Sequence, residues 1–256
     1  MSQVTTGYAP VNGLRMYYEV HGTGRPLVLL HGGLMTIEGS FGPLLPDLVA
    51  ERQVIAAELQ GHGRTADIDR DVEFRYLADD VATLFDHLGV DQADVLGFSL
   101  GGGVALQLAL DYPDQVGRLI LASVSYAGDG YHQEISDPSR HATSTRMPTA
   151  EDFRQMREAY ARIAPDPGHF EAFAAKTSQA VGNMKGWTAG QLGDITAPTL
   201  LIFGDHDFIR LEHAVEMHRL IPGAQLAVLP GTTHMGVMRR TDVILPLVRE
   251  FLAEVR

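Results

Sequence analysis

The sequence of 256 residues predicts an α/β fold, a mostly parallel sheet with helices on both faces, from three observations. Short runs that are apolar at every position recur along the chain, as expected for strands covered on both sides. Segments with apolar residues at helical spacing lie between these runs, which favours parallel pairing through crossover helices. One long segment, residues 126–194, contains no strand-like run and is too long for a simple connection. It predicts a helical insertion.

Eight strands are predicted. Residues 8–20 alternate around Asn12-Gly13, a pair that favours the two-residue turn of a β-hairpin, so they supply the first two strands. The others are short apolar runs. They cover residues 27–30, 54–57, 93–98, 118–124, 199–203 and 225–229.

The clearest predicted helix covers residues 75–88. Leu77, Val81 and Leu84 recur on one side of it, whereas aspartates lie on the other. Gly89 predicts its end. Further helices are predicted over residues 100–110, 211–220 and 242–255.

The insertion divides the chain into a core domain, residues 1–125 and 195–256, and a helical cap, residues 126–194. Several large apolar residues of the cap are candidates to line a pocket above the sheet. The alternative for most of them is that they only hold the cap to the core, since buried apolar side chains mainly form cores. They are Met147, Phe153, Met156, Tyr160, Phe170, Phe173, Met184 and Trp187.

Composition excludes several classes of protein. A net charge of −12 argues against nucleic-acid binding, which needs clustered lysine and arginine. The absence of cysteine excludes disulfides, thiolate nucleophiles and cysteine metal sites. No run approaches the roughly 20 apolar residues that span a bilayer, and residues 1–10 lack the basic and apolar stretches of a secretory signal. We therefore expect a cytoplasmic protein that acts on a small molecule and binds neither nucleic acid nor membrane; a homodimer stays open.

One stretch carries a chemical signal. Ser99 lies between Gly97 and Gly101, where the strand over residues 93–98 gives way to a helix. Such a turn holds a serine in strained geometry with its hydroxyl clear of the sheet, as in a nucleophile elbow. Serine is a poor nucleophile without a base, so a histidine and a carboxylate are also required.

Two later strand ends offer these groups. His234 follows the strand over residues 225–229, and Asp207 follows the strand over residues 199–203. Asp205 is an alternative acid, although as the residue after a glycine it is better suited to hold its loop. Asp129, which follows the strand over residues 118–124, is a second alternative.

The order Ser99, Asp207, His234 resembles the α/β-hydrolase superfamily, and the resemblance covers nearly the whole chain. It also rests on four shorter motifs in the family order, residues 31–33, 61–64, 204–207 and 231–234. The compact size and the position of the insertion are most similar to small bacterial esterases, lactonases and cofactor-free haloperoxidases.

The resemblance implies a Ser-His-Asp triad, with the oxyanion bound by the backbone N–H groups of Gly33 and Leu100. It also implies that His31 braces the oxyanion loop, and we expect His62 to hold its own turn together. The pocket is predicted beside the catalytic loops. Its expected residues are Leu34, Met35, Phe208 and Met235.

No metal or cofactor is expected. Residues 205–207 contain two aspartates and a histidine, but adjacent residues rarely converge on one ion. Residues 101–103 are glycines, yet they do not form the Gly-x-Gly-x-x-Gly pattern of a dinucleotide loop.

The favoured hypothesis is hydrolysis of a small, mainly apolar carboxylic ester or lactone through an acyl-enzyme. One alternative uses the same triad for C–C bond hydrolysis or a lyase step. An arginine of the cap that points into the pocket, Arg140, Arg146 or Arg154, would favour that alternative. A further alternative is a small-molecule receptor that uses cap movement as its output.

Overall fold

The computed structural model describes residues 4–182 and 184–253. Within these residues one sheet has eight strands in the order β1-β2-β4-β3-β5-β6-β7-β8, and only β1–β2 and β2–β4 pair antiparallel. The predicted sheet is therefore confirmed. The strands are β1 (Val4–Val11), β2 (Leu14–His21), β3 (Pro26–Leu30), β4 (Gln53–Ala57), β5 (Ala93–Phe98), β6 (Val116–Ala122), β7 (Thr199–His206) and β8 (Gln225–Thr233).

The hairpin turns where the sequence predicted. Asn12 and Gly13 have φ angles of 42° and 88°, so both central residues adopt the left-handed conformation that a tight hairpin turn requires. Val11 pairs with Leu14 directly across the turn. The hairpin adds the antiparallel edge to an otherwise parallel sheet.

Ten α-helices occur in the part of the chain that the structure describes. The first two were not predicted, because five residues are too few to reveal a helical period. They are α1 (Ile37–Phe41), α2 (Leu45–Val49), α3 (Phe74–Leu88), α4 (Leu100–Asp111), α5 (Gln133–Ser136), α6 (Ala150–Ile163), α7 (Phe170–Gly182), α8 (Ala189–Gly193), α9 (Leu211–Leu220) and α10 (Thr241–Ala253). None is long and apolar enough to cross a membrane.

The core lies on both faces of the sheet. In β3, Val28 and Leu30 belong to the cluster that contains α3 and α4, whereas Leu27 and Leu29 belong to the cluster that contains α1, α2 and α10. Side chains alternate between the faces of a strand, so both faces must be apolar. This explains why the central strands are apolar at every position.

The strand ends differ from the prediction in a way that bears on the site. β6 begins two residues earlier than expected and also ends two residues earlier, at the point where the chain turns at Ser123, whose φ is 55°. β7 and β8 run further than their apolar runs, and His206 pairs with Thr233. Asp207 and His234 therefore leave the sheet side by side.

The described elements between β6 and β7 are helical, apart from one isolated bridge between Tyr131 and Ile209. Helices α5 to α8 lie in this segment. The exact division of the chain into a core and a cap at residues 126 and 194 stays a prediction. Residues 126–194 are called the cap.

Candidate active site

The turn between β5 and α4 holds Ser99 in a strained conformation, with φ 53° and ψ −114°. The residues two positions before and two positions after Ser99 must be glycines. A Cβ on Gly97 would lie 2.3 Å from the carbonyl oxygen of Gly101, and a Cβ on Gly101 would lie 2.1 Å from that of Leu30. The elbow geometry predicted from the sequence is therefore present.

Ser99, His234 and Asp207 form one chain of hydrogen bonds. His234 Nε2 lies 2.9 Å from Ser99 Oγ, and His234 Nδ1 lies 2.6 Å from Asp207 Oδ1. An ionised carboxylate can only accept hydrogen bonds, so Nδ1 carries the proton. Nε2 is then free to accept the proton of the serine hydroxyl.

Asp207 is fully buried, and three groups besides His234 determine the protonation state of its carboxyl. Its Oδ1 accepts the N–H of Phe208 at 2.6 Å, while Oδ2 accepts the hydroxyl of Ser123 at 2.5 Å and the N–H of Gly204 at 3.3 Å. Burial raises the pKa of the Asp207 carboxyl, but His234 and these hydrogen bonds outweigh it and hold the pKa below its ordinary value. Asp207 is thus ionised at neutral pH.

Ser123 is a contact of the site that the sequence did not reveal. It is 2% exposed and adopts a left-handed conformation that costs free energy for a residue with a side chain. Its backbone N–H donates to Ile202 at 2.8 Å while its hydroxyl reaches Asp207. In the sequence, a serine that follows a strand does not reveal such a contact.

The alternative acids do not contact His234. Asp205 accepts the backbone N–H of Thr232 at 2.9 Å and so holds the end of β8, as its position suggested. Asp129 offers its backbone oxygen to Arg210 at 2.7 Å. Of the aspartates considered, Asp207 is the one that the fold brings to the histidine.

Two phenylalanines flank the imidazole of His234. The ring of Phe208 stacks face to face on it, with centroids 3.8 Å apart and planes at 4°. The ring of Phe98 lies 5.2 Å away. Stacking restricts rotation of the imidazole, so it helps keep Nε2 directed at Ser99.

Two backbone N–H groups beside Ser99 have no acceptor within the described residues, those of Gly33 and Leu100. Their neighbours are occupied: the N–H of Gly32 donates to Ser40 Oγ at 3.2 Å, and that of Leu34 donates to His62 Nε2 at 3.0 Å. Leu100 also begins α4, where the helix dipole favours negative charge. The resemblance implied that these two groups bind the oxyanion, and that role stays a prediction.

His31 and His62 lie beneath this loop as neutral acceptors. Nε2 of His31 accepts the N–H of Leu59 at 3.0 Å, just as His62 accepts that of Leu34, and the two rings are 4.6 Å apart. Burial lowers the pKa of His31 to about 4, and burial together with His31 lowers the pKa of His62 well below its ordinary value. Both side chains serve to position the loop.

A cavity of about 490 Å³ opens above Ser99. Its described lining contains no lysine, arginine, aspartate or glutamate. All the predicted pocket residues line it, as do four of the eight apolar cap residues named from the sequence. These are Leu34, Met35, Phe208 and Met235, and Met147, Phe153, Met156 and Met184.

The other four cap residues have packing roles. Phe173 packs edge-on against His62, and Tyr160 packs against Phe170. Trp187 stacks near Phe74, with ring centroids 5.2 Å apart, and donates its indole N–H to Gln107. For these residues the simpler interpretation, that they hold the cap to the core, describes their contacts.

The cap arginines do not line the cavity. Arg140 pairs with Asp137, and Arg154 pairs with Glu151 and Glu158 on the surface. Arg146 pairs with Glu134 and donates to the backbone oxygen of Asp207 at 3.0 Å. It therefore fastens the cap to the acid loop.

Similarity to known proteins agrees with this architecture. A family model described as the alpha/beta hydrolase fold matches residues 25–145. The 2-hydroxymuconate semialdehyde hydrolase of Pseudomonas sp. (strain CF600) is 30% identical over 263 residues, which cover 94% of this chain and 92% of that enzyme. The chain belongs to the α/β-hydrolase family. It is a hydrolase of that fold.

Two further proteins are similar to this α/β hydrolase. The 2-hydroxy-6-oxo-6-phenylhexa-2,4-dienoate hydrolase of Burkholderia cepacia is 26% identical over 275 residues, which cover 98% of this chain and 95% of that enzyme. A solved structure of an N-acyl homoserine lactone degrading enzyme is 26% identical with a TM-score of 0.77, and the match covers 95% of this chain and 99% of that one.

The described residues contain no group of three histidine, aspartate or glutamate side chains placed to hold an ion. In the segment that suggested such a centre, Asp205 and Asp207 make the separate contacts described above.

Proposed function

We propose that this α/β hydrolase is a serine hydrolase that cleaves small, mainly apolar carboxylic esters or lactones through an acyl-enzyme. The observation that carries the proposal is the hydrogen-bonded chain Ser99–His234–Asp207, which ends beside two unpartnered N–H groups in an uncharged cavity. A nucleophile, a base, an acid that orients the base, and oxyanion donors are the parts that acyl transfer requires.

In the first half-reaction Ser99 Oγ attacks the carbonyl carbon while His234 Nε2 takes the hydroxyl proton. Asp207 accepts the Nδ1–H of His234 and stabilises the imidazolium. The carbonyl oxygen becomes negative and is bound by the N–H groups of Gly33 and Leu100, each worth roughly 3 to 4 kcal/mol in comparable sites. Collapse breaks the C–O bond, and His234 returns the proton to the leaving alcohol.

In the second half-reaction a water molecule replaces the alcohol. His234 removes a proton from the water as it attacks the acyl carbon, and the proton then passes to Ser99 as the acyl–oxygen bond breaks. The products are a carboxylic acid and free enzyme. With a lactone the alcohol remains attached to the acyl group, so one hydroxy acid is released.

The cavity supports an uncharged substrate. Burial of an ionised group without a partner is costly, and the described lining offers no charged side chain to pair with one. Its methionine, phenylalanine and leucine side chains suit an apolar acyl or alcohol group. The similarity to an enzyme that degrades N-acyl homoserine lactones supports the inclusion of lactones.

C–C bond hydrolysis is the second candidate, because two of the similar proteins are named as hydrolases of 2-hydroxymuconate semialdehyde and of a phenylhexadienoate. A dienoate carries a carboxylate. The cap arginines that would have favoured an anionic substrate are engaged elsewhere. The ester or lactone therefore has the better physical support.

A substrate panel separates the candidates. The wild type and Ser99→Ala are assayed with short p-nitrophenyl esters, a γ-lactone and a vinylogous 1,5-diketone acid. We expect kcat/KM for the ester or lactone to exceed that for the diketone acid, and Ser99→Ala to lose the activity. A preference for the diketone acid would support the second candidate, whereas equal ester turnover by both proteins would refute the serine mechanism.

A further inference from the structure

Thr177 of α7 has a hydroxyl group without a hydrogen-bonding partner. The side chain is 5% exposed and lines the cavity above Ser99. Its Oγ1 is buried and makes no hydrogen bond within the described residues. A valine would fill the same space without burying a polar atom. An unsatisfied buried hydroxyl is unfavourable for the free protein, so its presence calls for a role in the bound state.

The position of Thr177 is fixed by contacts made one helical turn earlier. The buried ring of Phe173 packs edge-on against His62, with centroids 4.8 Å apart. Residues four apart lie on the same face of a helix, so Thr177 lies on the same face of α7 as Phe173. Lys176 adds a contact of 2.8 Å to Asp67. Helix α7 is therefore held against the loop over residues 61–68, whose His62 accepts the N–H of Leu34, the residue after Gly33.

Thr177 lies beside Gly33, one of the two proposed oxyanion donors, and Leu100 also lies beside Gly33. A Cβ on Gly33 would be 3.7 Å from the methyl group of Thr177 and equally 3.7 Å from Cβ of Leu100. Threonine in a helix populates two χ1 rotamers. A rotation of 120° about χ1 can place Oγ1 at the site of the methyl group, on the side of Gly33, while the methyl group moves to the site of the Cβ hydrogen.

From this geometry we infer that Thr177 is a specificity-determining residue that hydrogen-bonds a neutral polar group next to the scissile carbonyl, such as an α-amide. The inference rests on the proposed function, because it needs the carbonyl oxygen at Gly33 and Leu100. Because Thr177 lies beside Gly33, a substrate group that contacts Thr177 must be attached close to the scissile carbonyl carbon. An amide fits the uncharged lining, and its carbonyl oxygen can accept the hydroxyl proton.

The test compares two lactones of matched length, N-hexanoyl homoserine lactone and a γ-lactone with an alkyl chain in place of the amide. Thr177→Val removes the hydroxyl at nearly constant shape, and Thr177→Ser retains it. Thr143→Val is the matched control, because Thr143 is an exposed cap residue that does not line the cavity. Melting temperatures are measured for every variant.

We expect Thr177→Val to lower kcat/KM for the amide-bearing lactone about tenfold, the usual effect of one lost hydrogen bond, and to leave the alkyl lactone within about twofold. Thr177→Ser should retain the preference, and the melting temperature of Thr177→Val should not fall. An equal change with both lactones, or no change with either, would overturn the inference. If the wild type cleaves neither lactone nor ester, the proposed function itself fails.

Discussion

The sheet end that carries Ser99 and the cap above it are held by different forces. At the sheet end, buried hydrogen bonds and strained backbone fix each side chain, as in the contact of Ser123 with Asp207. In the cap, many charged contacts lie at the surface; Arg154 and its partners are each more than half exposed. Exposed ion pairs contribute at most about 1 kcal/mol each.

This difference separates the two tasks of an enzyme. Rigid, buried contacts suit groups that must meet within a few tenths of an ångström, which is what proton transfer and oxyanion binding need. A cavity whose cap side is lined by methionines can adapt to the substrate, since methionine is flexible and polarisable. We therefore expect substitutions at the sheet end to change the rate and substitutions in the cap to change the preferred substrate.

The largest effect is expected from the acid. Asp207→Asn should lower kcat about ten-thousandfold, because an amide can present a donor to His234 and so favour the wrong tautomer. Asp205→Asn is the matched control and should cost less than about tenfold, since its partner is the backbone of Thr232. Steady-state kinetics with a p-nitrophenyl ester give both values. A larger loss of kcat in Asp205→Asn than in Asp207→Asn would show that Asp205, and not Asp207, is the acid.

Acid should destabilise the sheet end through its buried histidines. His31 has an ordinary pKa of 6.5 in the unfolded chain and about 4 when folded, so the unfolded state binds its proton more readily. Acidification from pH 6.5 to pH 4 should thus remove roughly 3 kcal/mol of stability through this residue alone. Denaturant-induced unfolding of the wild type and of His31→Gln, followed between pH 6.5 and pH 4, measures this loss of stability. The variant should show a shallower pH dependence, and identical slopes would contradict this account.

Ser123 tests how much of the rate depends on a positioned acid. Ser123→Ala should lower kcat roughly ten- to hundredfold, because a buried hydrogen bond to a charged group is lost. Ser123→Gly loses the same hydroxyl but relieves the positive φ. We expect the glycine variant to melt at a higher temperature than the alanine variant with no recovery of kcat. Recovery of activity in Ser123→Gly would mean that strain, and not the hydroxyl, limits the reaction.

The smallest effect on rate is expected in the cap. Met156→Ala enlarges the cavity and should shift the preference toward longer acyl chains by less than about tenfold. Met217→Ala, a fully buried methionine of α9 outside the cavity, should lower stability and leave that preference unchanged. Assays with p-nitrophenyl esters of increasing chain length measure both. The same selectivity shift in both variants would remove the distinction between cap and core.

The sequence predicted the site residues at the sheet end much better than those in the cap. Ser99 between two glycines, and the strand ends before Asp207 and His234, are local patterns with a physical reason. Ser123 and Thr177 are defined by contacts with residues more than 80 and 140 positions away in the chain, which no local pattern records. In the cap, the helical spacing of Phe153, Met156 and Tyr160 marks the apolar side of α6 but does not show what that side packs against, so lining residues could be listed but not separated from packing residues.

The most direct test of the central claim is covalent trapping of the nucleophile. The wild type is treated with a fluorophosphonate, ester turnover is followed to completion of inhibition, and the modified peptide is mapped by mass spectrometry. We expect one adduct, on Ser99, that forms in proportion to the loss of activity and is absent from Ser99→Ala. Complete inhibition with the adduct on another residue, or full ester turnover by Ser99→Ala, would contradict it.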